Sequence, residues 1–370
     1  LGALVYFSDN SSAGSATFTN EGNPDLTSIY SAALYSSRNA TRFIDSSTAE
    51  NATLIANANL TSGNGGAIVF ADNSSGGTAR VEVFGNGFLD ISAHAVPGVT
   101  IGSLEGTGNA FLGSNNLTVG GNNLNTNFSG ILQDGGGAIA GAGGSLTKIG
   151  TGTLTLSGAN TYTGGTTVNA GVLLVNNTSG SGTGTGNVQV NAGTLGGTGT
   201  IAGAVTIGTG GGPGAFISPG QSPGTLTIQG ALALDSDATY RFELNSSTLA
   251  ADKVIANGVT ITGAEFLLTD LGHDAIPLGT SFMVLDNTDV AAIAGTFSNL
   301  ADGSTFSANG NTYQTNYEGG DGNDLTLTTI ESVPESATWL VGSLLAIALG
   351  VHAGRRQAPY TKCQETYSST

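Results

Sequence analysis

The chain has 370 residues, 60 of them Gly, and only 9% are charged: 26 acidic against 9 basic side chains, a formal net charge of −17. That balance excludes a nucleic-acid binder, which needs clustered Lys and Arg to displace counterions, and the Gly content disfavours a helical protein. Gly without a three-residue period and 8 Pro exclude collagen, 39% hydrophobic residues oppose charge-driven disorder, and Cys363, the single cysteine, leaves no disulfide framework.

The chain opens at Leu1, with no basic segment followed by an apolar run, so an export signal is expected upstream. Residues 1–144 then carry a first repeat. Phe7, Phe43 and Phe70 each precede an Asp by two positions (Asp9, Asp45, Asp72) and an Ala by nine (Ala16, Ala52, Ala79). The starts are 36 and 27 residues apart, and Ser37–Thr41 reads as a degenerate copy filling the longer interval. Equivalent positions stack in a solenoid, so the three Asp are expected in one row. Such a ladder suits either solvated turn residues or a site for a cation or a sugar.

A second repeat occupies residues 145–230. Val168-Asn-Ala-Gly-Val-Leu173 recurs as Val190-Asn-Ala-Gly-Thr-Leu195, 22 residues on. Short alternating runs, Leu154–Leu156, Val188–Val190, Val205–Ile207 and Leu226–Ile228, read as strands separated by Gly, Asn and Ser turns. Short strands in units of roughly 20–30 residues predict an all-β parallel β-helix, one coil per repeat. An antiparallel sandwich array is the alternative, but two-residue hairpin turns at regular spacing are missing.

Leu146-Thr-Lys-Ile-Gly-Thr-Gly-Thr-Leu-Thr-Leu-Ser-Gly-Ala-Asn-Thr-Tyr-Thr-Gly-Gly-Thr-Thr-Val-Asn-Ala-Gly171 resembles the autotransporter-associated β-strand repeat of bacterial surface-protein passengers. Ser218-Pro-Gly-Gln-Ser-Pro-Gly-Thr-Leu-Thr-Ile228 resembles another recurrent passenger stretch. With the flanking repeats, the resemblance reaches over most of residues 1–330. It implies a right-handed β-helix, exported and displayed.

Charge returns in residues 231–330: no acidic residue lies between Asp134 and Asp235, and 14 follow from Asp235 to Glu331. Strand runs lengthen at Thr239–Leu244, Ala264–Leu268 and Ser281–Leu285. This region reads as a C-terminal β-rich cap over the last apolar coil.

Residues 331–356 form a separate device. Val333-Pro334-Glu335-Ser336 precedes a 16-residue apolar stretch from Trp339 to Gly354, followed by Arg355-Arg356. An aromatic at one edge and an Arg pair at the other suit a single short transmembrane helix with its basic end in the cytoplasm. The arrangement resembles the PEP-CTERM sorting signal, which implies recognition by an exosortase-like processing enzyme and transient anchoring in the inner membrane. Here the motif has one Pro, and residues 357–370 follow as a polar tail. An ordinary membrane anchor and a buried core helix are the alternatives.

Candidate chemistry is sparse. Gly220-Gln-Ser-Pro-Gly224 has the pattern of a nucleophile elbow around Ser222, but Pro223 has no N–H for an oxyanion hole and a strand follows where a helix is required. Gly319-Gly-Asp-Gly-Asn-Asp324 resembles one copy of the Ca²⁺-binding β-roll repeat, with Asp321 and Asp324 as candidate ligands. That site needs tandem copies, so the expected reading is a tight turn without a cofactor. His94, His273 and His352 have no metal-ligand neighbour at short spacing. No catalytic residues are expected. The function read from the sequence is a non-catalytic surface or matrix structural protein, adhesin-like, facing extracellular polysaccharide or other cells. A carbohydrate-active β-helix enzyme with its catalytic part upstream and a classical autotransporter passenger are the competing readings.

Overall fold

A computed structural model describes residues 4–22, 39–59, 64–220 and 222–332. Among these residues the secondary structure is all strand, mostly three to five residues long up to Leu234. Alternation of apolar with Thr, Ser or Asn leaves one face of each strand for a core. Val188–Val190 and Leu232–Leu234, for example, bury their outer two residues and half-expose the middle one.

The strands stack into sides rather than folding back. One sheet of six joins Leu4–Phe7, Ala40–Phe43, Ala67–Phe70, Phe88–Asp90, Asn109–Phe111 and Ile131–Gln133 in chain order. A second side of eight runs from Gly98–Ile101 to Val259–Ile261, and a third extends from Thr17–Asn20 to Glu265–Asp270. Before Ala238 every strand ladder is parallel, as the β-helix reading requires. Coil length varies more than expected: Leu4 pairs with Ala40, 36 residues on, and Val188 with Val205, 17 residues on. Of the proposed degenerate repeat at Ser37–Thr41, Ser37 and Arg38 lie outside the described residues. Its end, Ala40–Thr41, begins the strand that stands directly on Leu4–Phe7.

The core is a set of columns, one residue per coil. Phe7, Phe43 and Phe70 stack with ring centroids 4.7 and 4.9 Å apart, which is the strand separation itself. On the second side Val119, Val168, Val190 and Ile207 line up inward, with Lys148 in the same column.

The first side is interrupted. Its six-stranded sheet ends at Ile131–Gln133, and strands return to that place in the coil only at Thr200–Ile201, which opens a seven-stranded sheet. Between them, residues 157–165 and 176–187 cross this side without a strand.

The change of composition at residue 231 is not a change of topology. Parallel stacking continues, with Leu232 on Val259, Ala238–Asn245 on Glu265–Asp270, and Lys253–Ala256 on Ser281–Asn287. Antiparallel pairing dominates only at the end, where Asp324–Ser332 pairs with Ser281–Asn287 and with Asn311–Gly319. There the edge strand Glu265–Asp270 is blunted by Asn299, whose Oδ1 accepts from Phe266 N at 2.9 Å and whose Nδ2 donates to Phe266 O at 2.8 Å. A side chain thus occupies hydrogen bonds that a further strand would take, a defence against edge-to-edge pairing. The sorting motif Val333, Pro334 and Glu335, the helix bounded by Trp339, Arg355 and Arg356, and also His352 and Cys363 lie outside the described residues. Among the described residues no helix is long and apolar enough to cross a membrane.

Candidate functional site

The acidic ladder forms as expected. Asp9, Asp45 and Asp72 share a left-handed conformation, with φ of 53°, 54° and 55°. Asp9 N donates to the Asp45 carboxylate at 3.1 Å, and Asp45 N to the Asp72 carboxylate at 3.4 Å. The Asp45 and Asp72 carboxylates therefore each hold the bend of the preceding coil, which is a structural use of the row.

The remaining sequence candidates do not converge. Ser222 has φ of 58°, is followed by Pro223, and leads into the strand Thr225–Ile228. Gly319–Asp324 is the turn between the last two strands. In it Asp324 is buried, accepting from Asn287 N at 2.8 Å, while Asp321 is exposed. Both ring nitrogens of His94 lie 2.6 Å from backbone carbonyls, those of Ala95 and Ser74, and His273 is exposed. Among the described residues no three His, Cys, Asp or Glu side chains gather as metal ligands would.

What the structure does bring together lies in residues 145–175, which supply strands Ser145–Lys148, Thr153–Leu156, Thr166–Val168 and Val172–Val175. Lys148 points inward and is 1% exposed. Its Nζ donates to the carbonyls of Ile149, Gly150 and Ala170 at 2.6, 3.1 and 3.3 Å, and burial lowers its pKa to about 8. A side chain on Gly171 would strike that ammonium, and φ at Gly171 is +69°. Asn160 fastens three coils: its Oδ1 accepts from Leu132 N at 2.8 Å, and its Nδ2 donates to Gly182 O at 2.6 Å. Tyr162 is fully buried with its hydroxyl against Thr166 Oγ1, and burial pushes that phenol well up. Lys148 and Asn160 are thus coil-to-coil fasteners, while Tyr162 fills the core and bonds within its own coil. Sequence reasoning passed over Asn160 because a lone Asn between strands reads as a turn residue; its spacing from the flanking Tyr and Gly was the available signal.

Above Asn160, the interrupted first side leaves a groove of about 460 Å³. It is lined by Ala159–Thr161, Ser179–Ser181, Thr185, Thr200, Ala202 and Gln229. Four successive coils contribute, because Asn160 N donates to Ser181 O, Gly182 N to Thr200 O, and Gln229 N to Ile201 O. No ionisable side chain lines it, in keeping with residues 135–234, where Lys148 is the one charged residue. Hydroxyls, one free amide and methyl groups can offer neutral hydrogen bonds and small apolar contacts, but no acid, base or nucleophile activator.

No curated protein matches the chain. The sequence resemblance was expected to reach over most of residues 1–330, but the matched stretch is much shorter. Residues 146–175, the module of Lys148, Asn160 and Tyr162, match the passenger-associated transport repeat, and the chain thus carries a passenger-type repeat.

Proposed function

We propose that this chain is the solenoid of an exported, passenger-like surface protein that works by display and adhesion rather than by catalysis. The observation that carries this reading is a passenger-type repeat set within a continuous stack of parallel strands. A stack held by backbone ladders and side-chain fasteners is stiff along its axis, and each coil adds one strand separation of reach. In this reading the coil is right-handed and the exposed faces meet extracellular polymers or other cells.

The tail belongs to the same proposal on sequence grounds. Val333-Pro334-Glu335 serves as a sorting motif, the helix from Trp339 enters the inner membrane, and Arg355 and Arg356 stay cytoplasmic because moving Arg to the bilayer centre costs roughly 2.5–3.5 kcal/mol each. An exosortase-like enzyme then removes the tail. The test is expression of the chain behind an added export signal in a Gram-negative host that has an exosortase, with proteinase K applied to intact cells and mass spectrometry of the mature C-terminus. Digestion on intact cells and a terminus near Pro334 are expected. A chain protected from the protease refutes surface display, and an uncut terminus at Thr370 refutes processing. Turnover of polysaccharides or esters that is lost in Ser222→Ala would overturn the non-catalytic reading.

A further inference from the structure

The groove in the interrupted side has no structural duty. The fasteners beneath it, Asn160 and Ser181, are engaged with backbone. By contrast, the hydroxyls of Thr161, Ser179, Thr185 and Thr200 and the amide of Gln229 make no hydrogen bond among the described residues. Its volume of about 460 Å³ falls within the range of ligand sites, about 300–1,000 Å³.

The chemistry of the lining narrows the occupant. An ionic ligand finds no counter-charge there and would lose its hydration without return. An extended peptide would join a sheet edge through backbone bonds, but groups it would need are already used: Thr161 N donates to Leu132 O and Gly182 N to Thr200 O. What remains is a row of neutral donor–acceptor side chains, interleaved with Ala159, Ala202 and threonine methyls. The row repeats along the solenoid axis at the strand separation of about 4.8 Å, close to the length of one sugar ring. Resting on the display reading above, we propose that this groove binds a neutral polysaccharide chain laid along the solenoid axis. Hydroxyls of the sugar exchange hydrogen bonds with Thr161, Thr185, Thr200 and Gln229, and its C–H faces pack on Ala159 and Ala202. The groove lining contains no aromatic side chain for ring stacking, so a single site is weak and avidity comes from many copies on a surface.

The experiment titrates the full chain with cellohexaose, xylohexaose, maltohexaose and laminarihexaose, followed by saturation-transfer NMR and calorimetry, with polygalacturonate fragments as the anionic comparison. At least one neutral hexasaccharide is expected to bind with Kd on the order of 1 mM, insensitive to salt because no charge is involved. Ala202→Trp, which fills the groove, should weaken binding at least about tenfold with an unchanged thermal midpoint. Gln229→Arg, at an exposed position, repeats the test should the Trp variant fold poorly. No binding of any neutral hexasaccharide at about 10 mM, tighter and salt-sensitive binding of the anionic fragments, or binding indifferent to both variants would overturn the proposal. Surface digestion on intact cells is a separate readout, so the groove can fail while display stands, and the reverse.

Discussion

Lys148 gives the sharpest physical test of the core. Its ammonium sits in an apolar column beside Val119 and Val168, and burial brings its pKa from 10.5 to about 8. A lysine in an unfolded chain keeps its proton to about pH 10.4. The folded state therefore binds fewer protons than the unfolded state between these values, and stability must rise with pH across that window. The group's contribution is fully present above the unfolded pKa and is lost as pH falls through the folded one. At about 1.36 kcal/mol per pH unit, the rise from pH 8 to pH 10 integrates to about 2 kcal/mol. Buried tyrosines act in the opposite sense near pH 10, because Tyr162 and Tyr240 have pKa values pushed up by burial. Comparison with Lys148→Met removes that background, since the variant keeps the tyrosines and roughly the same volume. Guanidinium unfolding of both chains at pH 7, 8, 9 and 10 is the assay. The native chain should gain about 2 kcal/mol on the variant between pH 8 and pH 10. Parallel curves would refute the argument, because they would mean that the ammonium is as well solvated in the fold as outside it.

Asn160→Ala should destabilise by about 2–6 kcal/mol in the same unfolding assay, because it leaves Leu132 N and Gly182 O without partners at about 1–3 kcal/mol each. Phe43→Ala removes the middle ring of the Phe7–Phe43–Phe70 stack and should cost about 3–5 kcal/mol, with local loss of hydrogen-exchange protection in the first coils. Asp252 is fully buried and accepts from Gly224 N and Glu243 N at 2.8 and 2.9 Å; burial, with the Glu243 charge as a lesser cause, raises its pKa to about 6. Its stabilising contribution is therefore full below about pH 3.9 and is lost as pH rises through about 6, so melting curves should show this falling slope in the native chain and not in Asp252→Asn. Asp237 has the opposite sign: amides of Thr209, Gly210 and Gly212 hold its carboxyl down at about 2, so its contribution is present above about pH 3.9 and fades as pH falls through about 2. Proteolysis at the 208–214 loop should begin near that lower limit.

The architecture was legible because a solenoid writes its geometry into one dimension. Phe7, Phe43 and Phe70 recur in sequence because they stack in space, and a row of Asp two positions later must follow them. Period-two runs such as Val188–Val190 fixed strand and inward face together, since successive side chains point to opposite sides. That the residue after Ser222 has no N–H needed only the identity of Pro223, and the strand expected after it is Thr225–Ile228. Coil boundaries were less legible, because loop length adds little free energy and coils of 17 and 36 residues close as well as those of 22. The return of charge at Asp235 was visible in the sequence, whereas the change from parallel to antiparallel pairing belongs to backbone partners chosen near Ser281. Only the tertiary structure decided which polar residues turn inward. Lys148 occupies a position that alternation assigns to an apolar residue, and it is tolerated because three carbonyls from two coils meet its ammonium. The groove was likewise invisible in the sequence, because it is made by what two coils omit: a strand on one side between Gln133 and Thr200, with Thr161, Thr185 and Gln229 brought together from separate coils of the stack.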